Sequence, residues 1–528
     1  MVGSAGRKAN RGVSRRAALL AAGAGALLSG LPKRSAASSD PWAQASSIAA
    51  RLSRPQAFLP RDFPVSTHDG DCRQAFADAV ESCHQAGGGR VVVPSGDWFC
   101  AGPILLKSGV NFHLSRNCRI RFSADPADYA RHGDHECGAN GKLVLSRWQG
   151  NDCLNFSPMI YAFGQTGIGL TGEDWTSVLD GQAQPWWEWK KQGGPADEAA
   201  LPALSEQGTP ADQRIFGLGH FLRPCMIEFH SCTDVLMENY QVTNTPFWQH
   251  HPIACRNVVI RGVYANSLGP NNDGFDPESC DGVLCENVTF NSGDDCIAIK
   301  SGKNRDVGYG PAANHVIRYC VMNSGHGGVT LGSEGAAGIR GIFVHDLVMR
   351  NENWQTNPLN IAIRIKTNMN RGGVIENVHV SDVALPNGVA LTPKFYRPMP
   401  DGLMAGRSVS TNQGGVVTID CDYQPDKDPL RARPPQVRDI SIARIRVGLP
   451  PGAEAGCYQA FILLGPVASD FNGEGRPAIA PITGVTISDC DFGTPSNRAD
   501  PWFVYNVRDL TLRAVTIDGQ RCDRVLSA

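Results

Sequence analysis

The 528-residue sequence predicts an all-β chain, wound as a right-handed parallel β-helix: a solenoid with an N-terminal capping helix and long loops lining a cleft. Three observations carry this expectation. Short segments alternate apolar and polar residues, which is the strand signal; "CTDVLMENYQV", "CRNVVIRGVYA", "CDGVLCENVTF", "IRGIFVHDLVM", "VRDISIARIRV" and "VRDLTLRAVTI" are six of them. The segments recur at a solenoid interval of roughly 20–30 residues. Val235, Val258, Val283, Val316 and Ile342 mark successive rungs, and the longest step, Val283 to Val316, leaves room for a projecting loop. No helical pattern separates them, and 58 glycines with 35 prolines favour turns over long helices.

Taken in order, residues 1–37 read as a leader rather than part of the fold. "RGVSRRAALLAAGAGALLSGL" joins the Arg15-Arg16 pair to a short apolar run rich in Ala and Gly, and small residues follow. This is the pattern of a twin-arginine export signal, cleaved near Ala37. It implies a periplasmic or secreted protein with no stable membrane insertion after cleavage. Residues 38–64 read as a linker or N-terminal extension, and residues 65–528 as one β-helix domain. A solenoid needs its open end covered. Ala75, Phe76, Ala79, Val80 and Cys83 fall on one helical face, and the Gly87–Gly89 run ends that helix.

The 49 basic and 51 acidic residues leave a net charge of -2. No global field draws nucleic acid, so an acidic ligand needs a local basic patch. The 17 cysteines form no CxxC pair and no zinc spacing, and most sit within apolar patterns. They read as small buried residues, with no metal or other cofactor expected.

Four segments carry polar residues where a repeat needs none. They are "NNDGFDPESC" with Asp273, "NSGDDCIAIK" with Asp294, Asp295 and Lys300, "SGHGGVTLGSE" with His326, and "IRIKTNMNRGG" with Arg364 and Lys366. Asp273 to Asp294 is one rung, Asp294 to His326 one rung plus a loop, and His326 to Arg364 one rung with a larger loop. All can therefore line one face. Arg364 and Lys366 point the same way on a strand, whereas adjacent Asp294 and Asp295 share a cleft only if the chain bends. Carboxylates one rung apart, about 4.8 Å, repel by about 3.5 kcal/mol at an effective dielectric near 20. That repulsion lifts one carboxyl from about 4 towards 6, as acid catalysis requires.

Together these segments resemble the polygalacturonase family of glycoside hydrolases. Its Asn-Thr-Asp, Gly-Asp-Asp, Gly-His-Gly and Arg-Ile-Lys motifs stand here as Asn271–Asp273, Gly293–Asp295, Gly325–Gly327 and Arg364–Lys366, with Asn272 in place of Thr. The resemblance implies hydrolysis of α-1,4-linked galacturonic acid with inversion. Asp294 would be the general acid, Asp273 and Asp295 would activate water, and His326 would bond within the cluster. Arg364 and Lys366 would bind a substrate carboxylate, with Lys300, Trp248 and His251 as further substrate-binding candidates. "TPFWQHHPIAC" resembles a segment of exo-acting members. The Trp-rich insertion from Gln182 to about Arg223 is either a variable loop or a wall that closes the cleft around a chain end, its indoles stacking on sugars. The partner expected is an acidic polysaccharide, bound by a monomer. Other readings stay open: a family member acting on rhamnogalacturonan or decorated galacturonan, a Ca²⁺-dependent pectate-lyase-like enzyme, or a non-catalytic polysaccharide-binding β-helix.

Overall fold

Strands Thr233–Glu238, Arg256–Arg261, Asp281–Glu286, Ala312–Arg318 and Ile339–Met349 stack in parallel, each on the next. Val235, Val258 and Val283 lie in register and point into a continuous core. This computed structural model describes residues 40–54, 56–66, 70–394, 410–424, 431–467 and 479–526. The expected export signal lies outside the described residues. Among the described residues, no helix is long and apolar enough to cross a membrane. The architecture is a parallel β-helix.

One sequence marker is corrected. Val283 pairs with His315, and His315 with Ile342, so the inward marker of that rung is His315 rather than Val316. Asn314 takes the left-handed turn position (φ 60°) that Asp234 and Asn257 (both φ 56°) take in earlier rungs. Asn and Asp tolerate that conformation. The next residue, His315, therefore points inward, fully buried, with Nε2 3.1 Å from the Cys280 carbonyl. Val316 faces outward.

That outward position forms a second apolar stripe: Leu236, Val259, Leu284, Val316 and Phe343. Helix α1 (Pro41–Leu52) covers it with Ala45, Ile48, Ala49 and Leu52, which share one helical face. The stretch read as a linker or N-terminal extension thus contains a packed helix. It is followed by strand Asp62–Pro64, which pairs with Gly89–Val93. Helix α2 (Arg73–Gln85) covers the N-terminal end with Phe76, Val80 and Cys83 buried and Ala75 and Ala79 against the core. At the far end, Val507–Ile517 pairs antiparallel with Gln520–Leu526.

A further ladder carries the polar motifs. It runs through Ile227–His230 and His250–Ile253. Bridges Ile253 to Glu278 and Phe275 to Ile297 extend it. It continues through Ile297–Ile299, Val329–Gly332, Ile363–Lys366 and Gly415–Asp420. The insertion after Gln182 folds into a short helical turn, Gln184–Trp187, and helix α3 (Gly194–Glu206). None of the 17 cysteines is in a disulfide, and all but Cys137 and Cys522 are buried.

Candidate active site

Asp294 and Asp295 lie on a bend between strands Thr289–Ser292 and Ile297–Ile299. The bend removes the strand rule that would send adjacent side chains to opposite faces. Asp273 is the ladder partner of Asp295, since the Gly274 N–H donates to the Asp295 carbonyl at 2.9 Å. Asp294 is partnered by His326, whose N–H donates to the Asp294 carbonyl at 2.8 Å. Oxygens of Asp273, Asp294 and Asp295 all lie within 4.8 Å of one another.

The glycines around His326 have a steric cause. A Cβ on Gly325 (φ 151°) would stand 2.7 Å from the Asp294 carbonyl oxygen, and one on Gly327 would stand 2.7 Å from Asp295 Oδ1. Only bare backbone lets this loop approach the cluster. His326 Nδ1 then sits 3.0 Å from Asp294 Oδ1. Asp294 keeps 16% of its side chain exposed and His326 keeps 48%, while Asp295 keeps none. The solvent-facing edge of the cluster is therefore the Asp294–His326 pair.

Cations surround the acids. Lys366 Nζ donates to Asp295 Oδ2 at 2.7 Å, and Arg364 approaches Asp295 Oδ1 at 4.0 Å. Both cations share one strand, with Tyr423 alongside. Lys300 Nζ lies 3.2 Å from Glu334, 3.5 Å from Asp276 and 3.8 Å from Asp273. Burial alone would raise the pKa of Asp294. His326, helped by Lys366 and Lys300, outweighs burial and sets Asp294 below the ordinary carboxylate range. Asp273 moves the other way: burial, then repulsion from Asp276 and Asp294, hold it well above that range despite Lys300. Burial likewise pushes Asp276 up to about 7. The negative charge of Asp294 raises His326. The raised carboxyl of the unliganded cluster is thus Asp273, whereas the acid role expected of Asp294 would place it there.

Trp248 and His251 lie beneath the site rather than in it. Trp248 is 3% exposed and its ring supports Lys300 Nζ at 4.3 Å. His251 is fully buried, edge-on to Trp248 at 4.7 Å and 3.0 Å from Glu278. Neither presents a face to a ligand, and Lys300, 2% exposed, directs its charge at Asp273, Asp276 and Glu334. The insertion's indoles are also committed elsewhere. Trp186 is buried among Tyr129, Phe156 and Trp189, and the Trp187 Nε1–H donates to the Thr245 carbonyl at 2.9 Å.

Residues that motif reading missed come from that insertion and its base. Lys190 Nζ and Arg223 both donate to Asn271 Oδ1 at 2.8 Å, and Asn271 Nδ2 reaches Asp294 Oδ2 at 3.4 Å. Lys190 is thus one residue removed from the cluster. Its place in "WEWKK", inside the insertion, was the available signal.

The model of glycosyl hydrolases family 28 matches residues 219–393, the span that holds Asp273, Asp294, Asp295, His326, Arg364 and Lys366. The stretch similar to this family is thus the one that forms the acid cluster. The chain is 29% identical over 322 residues to a probable polygalacturonase of Vitis vinifera, covering 59% of this chain and 57% of that relative. It thus spans a little over half of that relative's length. It is 25% identical over 322 residues to an endo-polygalacturonase of Pectobacterium carotovorum subsp. carotovorum, covering 58% and 68%. Among solved structures, a hyperthermoactive exopolygalacturonase from Thermotoga maritima superposes with a TM-score of 0.73 at 28% identity, covering 92% of this chain and 99% of that one.

Proposed function

We propose that this chain is an exported glycoside hydrolase of family 28 that cuts α-1,4 bonds of galacturonan from the non-reducing end, with inversion. The convergence of three carboxylates within 4.8 Å, bordered by Arg364 and Lys366, carries the reading. Acids supply proton transfer, and the two cations supply the local basic patch that a near-neutral chain needs for an acidic polymer. In this reading Asp294 protonates the leaving oxygen, and Asp273 with Asp295 draws a proton from the attacking water. A substrate carboxylate adds negative charge beside Asp294 and so raises its pKa. His326 Nδ1, 3.0 Å from Asp294 Oδ1, is the neighbouring group that orients this acid. The same carboxylate competes with Asp295 for Lys366. Exo action is supported by the helical insertion, which brings Lys190 to the cluster, and by likeness to the Thermotoga exopolygalacturonase.

The raised Asp273 favours one second reading, in which it is the acid. An aryl α-galacturonide with a good leaving group separates the two. Such a substrate needs no acid, so the acid variant keeps its activity on it while losing polymer hydrolysis. Rescue of Asp294→Asn but not Asp273→Asn supports the assignment; the reverse exchanges the roles.

A further inference from the structure

We infer that Cys225, Glu228 and His251 form a structural Zn²⁺ site in the wall beneath the acid cluster. His251 Nδ1 lies 3.5 Å from Cys225 Sγ and 3.6 Å from Glu228 Oε2, and the three donor atoms all lie within 4.8 Å of one another. Bonds of 2.0–2.3 Å to one tetrahedral Zn²⁺ set its ligands about 3.3–3.6 Å apart. Register builds the set. Glu228 and His251 are direct partners on neighbouring parallel strands, and Cys225 lies just ahead of Glu228 in the chain. The ligands are split between rungs, so no compact spacing announces them in the sequence.

Three further features fit a metal. The second nitrogen of His251, Nε2, lies 3.0 Å from Glu278 Oε2. Glu278 is itself fixed by Arg147 Nε at 2.6 Å and the Gly302 N–H at 3.0 Å. A carboxylate behind a ligating histidine is the usual outer support of a metal centre. Glu228 Oε1 is fully buried with no hydrogen-bond partner among the described residues, while Ser146 Oγ donates to Oε2 at 2.9 Å. One thiolate, one imidazole and one carboxylate suit Zn²⁺ rather than Ca²⁺ or Mg²⁺, which take oxygen donors. The ion would tie strand Ile227–His230 to His250–Ile253 and fix His251 under Trp248, Lys300 and Asp273.

Cys225 is 2% exposed and the other two ligands are fully buried, so the ion must enter during folding. The test is to refold the full chain with Zn²⁺ or Co²⁺, remove free metal, and measure bound metal and the visible–ultraviolet spectrum. The expected result is about one equivalent of Zn²⁺, and a thiolate-to-Co²⁺ charge-transfer band in the cobalt form. Cys225→Ser keeps a hydrogen-bonding group at that position and removes the band, with bound metal falling by about tenfold or more. Cys137→Ser and Cys522→Ser, at the two cysteines that are not buried, leave both signals unchanged. Refolded wild type holding less than about a tenth of an equivalent, or metal that persists in Cys225→Ser, overturns the site and leaves a hydrogen-bonded triad. Metal content is read without substrate, so neither result depends on the proposed activity.

Discussion

Asp273 is buried, its Oδ1 has no hydrogen-bond partner among the described residues, and its carboxyl is held well above the ordinary range. An acid raised in this way costs the fold stability as pH climbs past its unfolded value of about 4, because the unfolded chain ionises first. Asp273→Asn should therefore melt higher than wild type at pH 7, with the difference closing towards pH 4. Thermal unfolding across that interval checks it. His326 gives the same sign of pH dependence over a higher interval. Asp294 raises it, so its contribution is complete below about pH 6.5 and is lost as pH rises through the raised value. The contribution of Asp294 is present above about pH 4 and fades as pH falls through its lowered value. His326→Ala should thus cost more stability at pH 6 than at pH 9. Lys366→Ala should weaken acidic oligomers more than neutral ones in binding titrations, and should also lower the melting point, because it strands the buried Asp295. The identities of the four acid and histidine residues were legible from rung-compatible spacing. The sign of each pKa was not, because for Asp273 it depends on burial, on Asp276 in the same segment, and on Asp294 and Lys300 from the next rung.

Among the elements, α1 and the insertion had to be read from pattern alone. Ala45, Ile48, Ala49 and Leu52 have helical spacing, and the paired apolar residues Val235-Leu236, Val258-Val259 and Val283-Leu284 signal a strand covered on both faces. Both signals were present; what was missing was the link between them, since Leu52 and Val235 stand far apart in the sequence. Removing residues 1–60 should expose that stripe at a cost on the order of 1–2 kcal/mol per buried side chain. The thermal midpoint should fall while kcat at low temperature stays near wild type, because the stripe lies on a different sheet from the acids. The one-residue slip at His315 has a local cause: a histidine directly after a turn asparagine reads as part of the turn. In the insertion, the tryptophans anchor the wall and Lys190 reaches the cluster. Lys190→Ala should raise KM for short galacturonan oligomers with little change in melting temperature.

Over the whole molecule, register turns a scattered set of motifs into a site. On the ladder Phe275 stands against Ile297, Ile297 against Val329 and Val329 against Ile363. That alignment stacks Asp273, the Asp294-Asp295 bend, His326 and Arg364 with Lys366. Repeat length made the solenoid legible. Loop length hid the insertion's contribution, because loops contribute no period. The most direct measurement is a product time course on polygalacturonate with wild type and Asp294→Asn, following reducing ends, product length and absorbance of unsaturated sugars. The account predicts immediate release of mono- or disaccharide with new reducing ends and no unsaturated product, and loss of this activity in folded Asp294→Asn by a factor of about 10²–10⁴. Unsaturated products, no new reducing ends from folded wild type, or full activity in Asp294→Asn would contradict it.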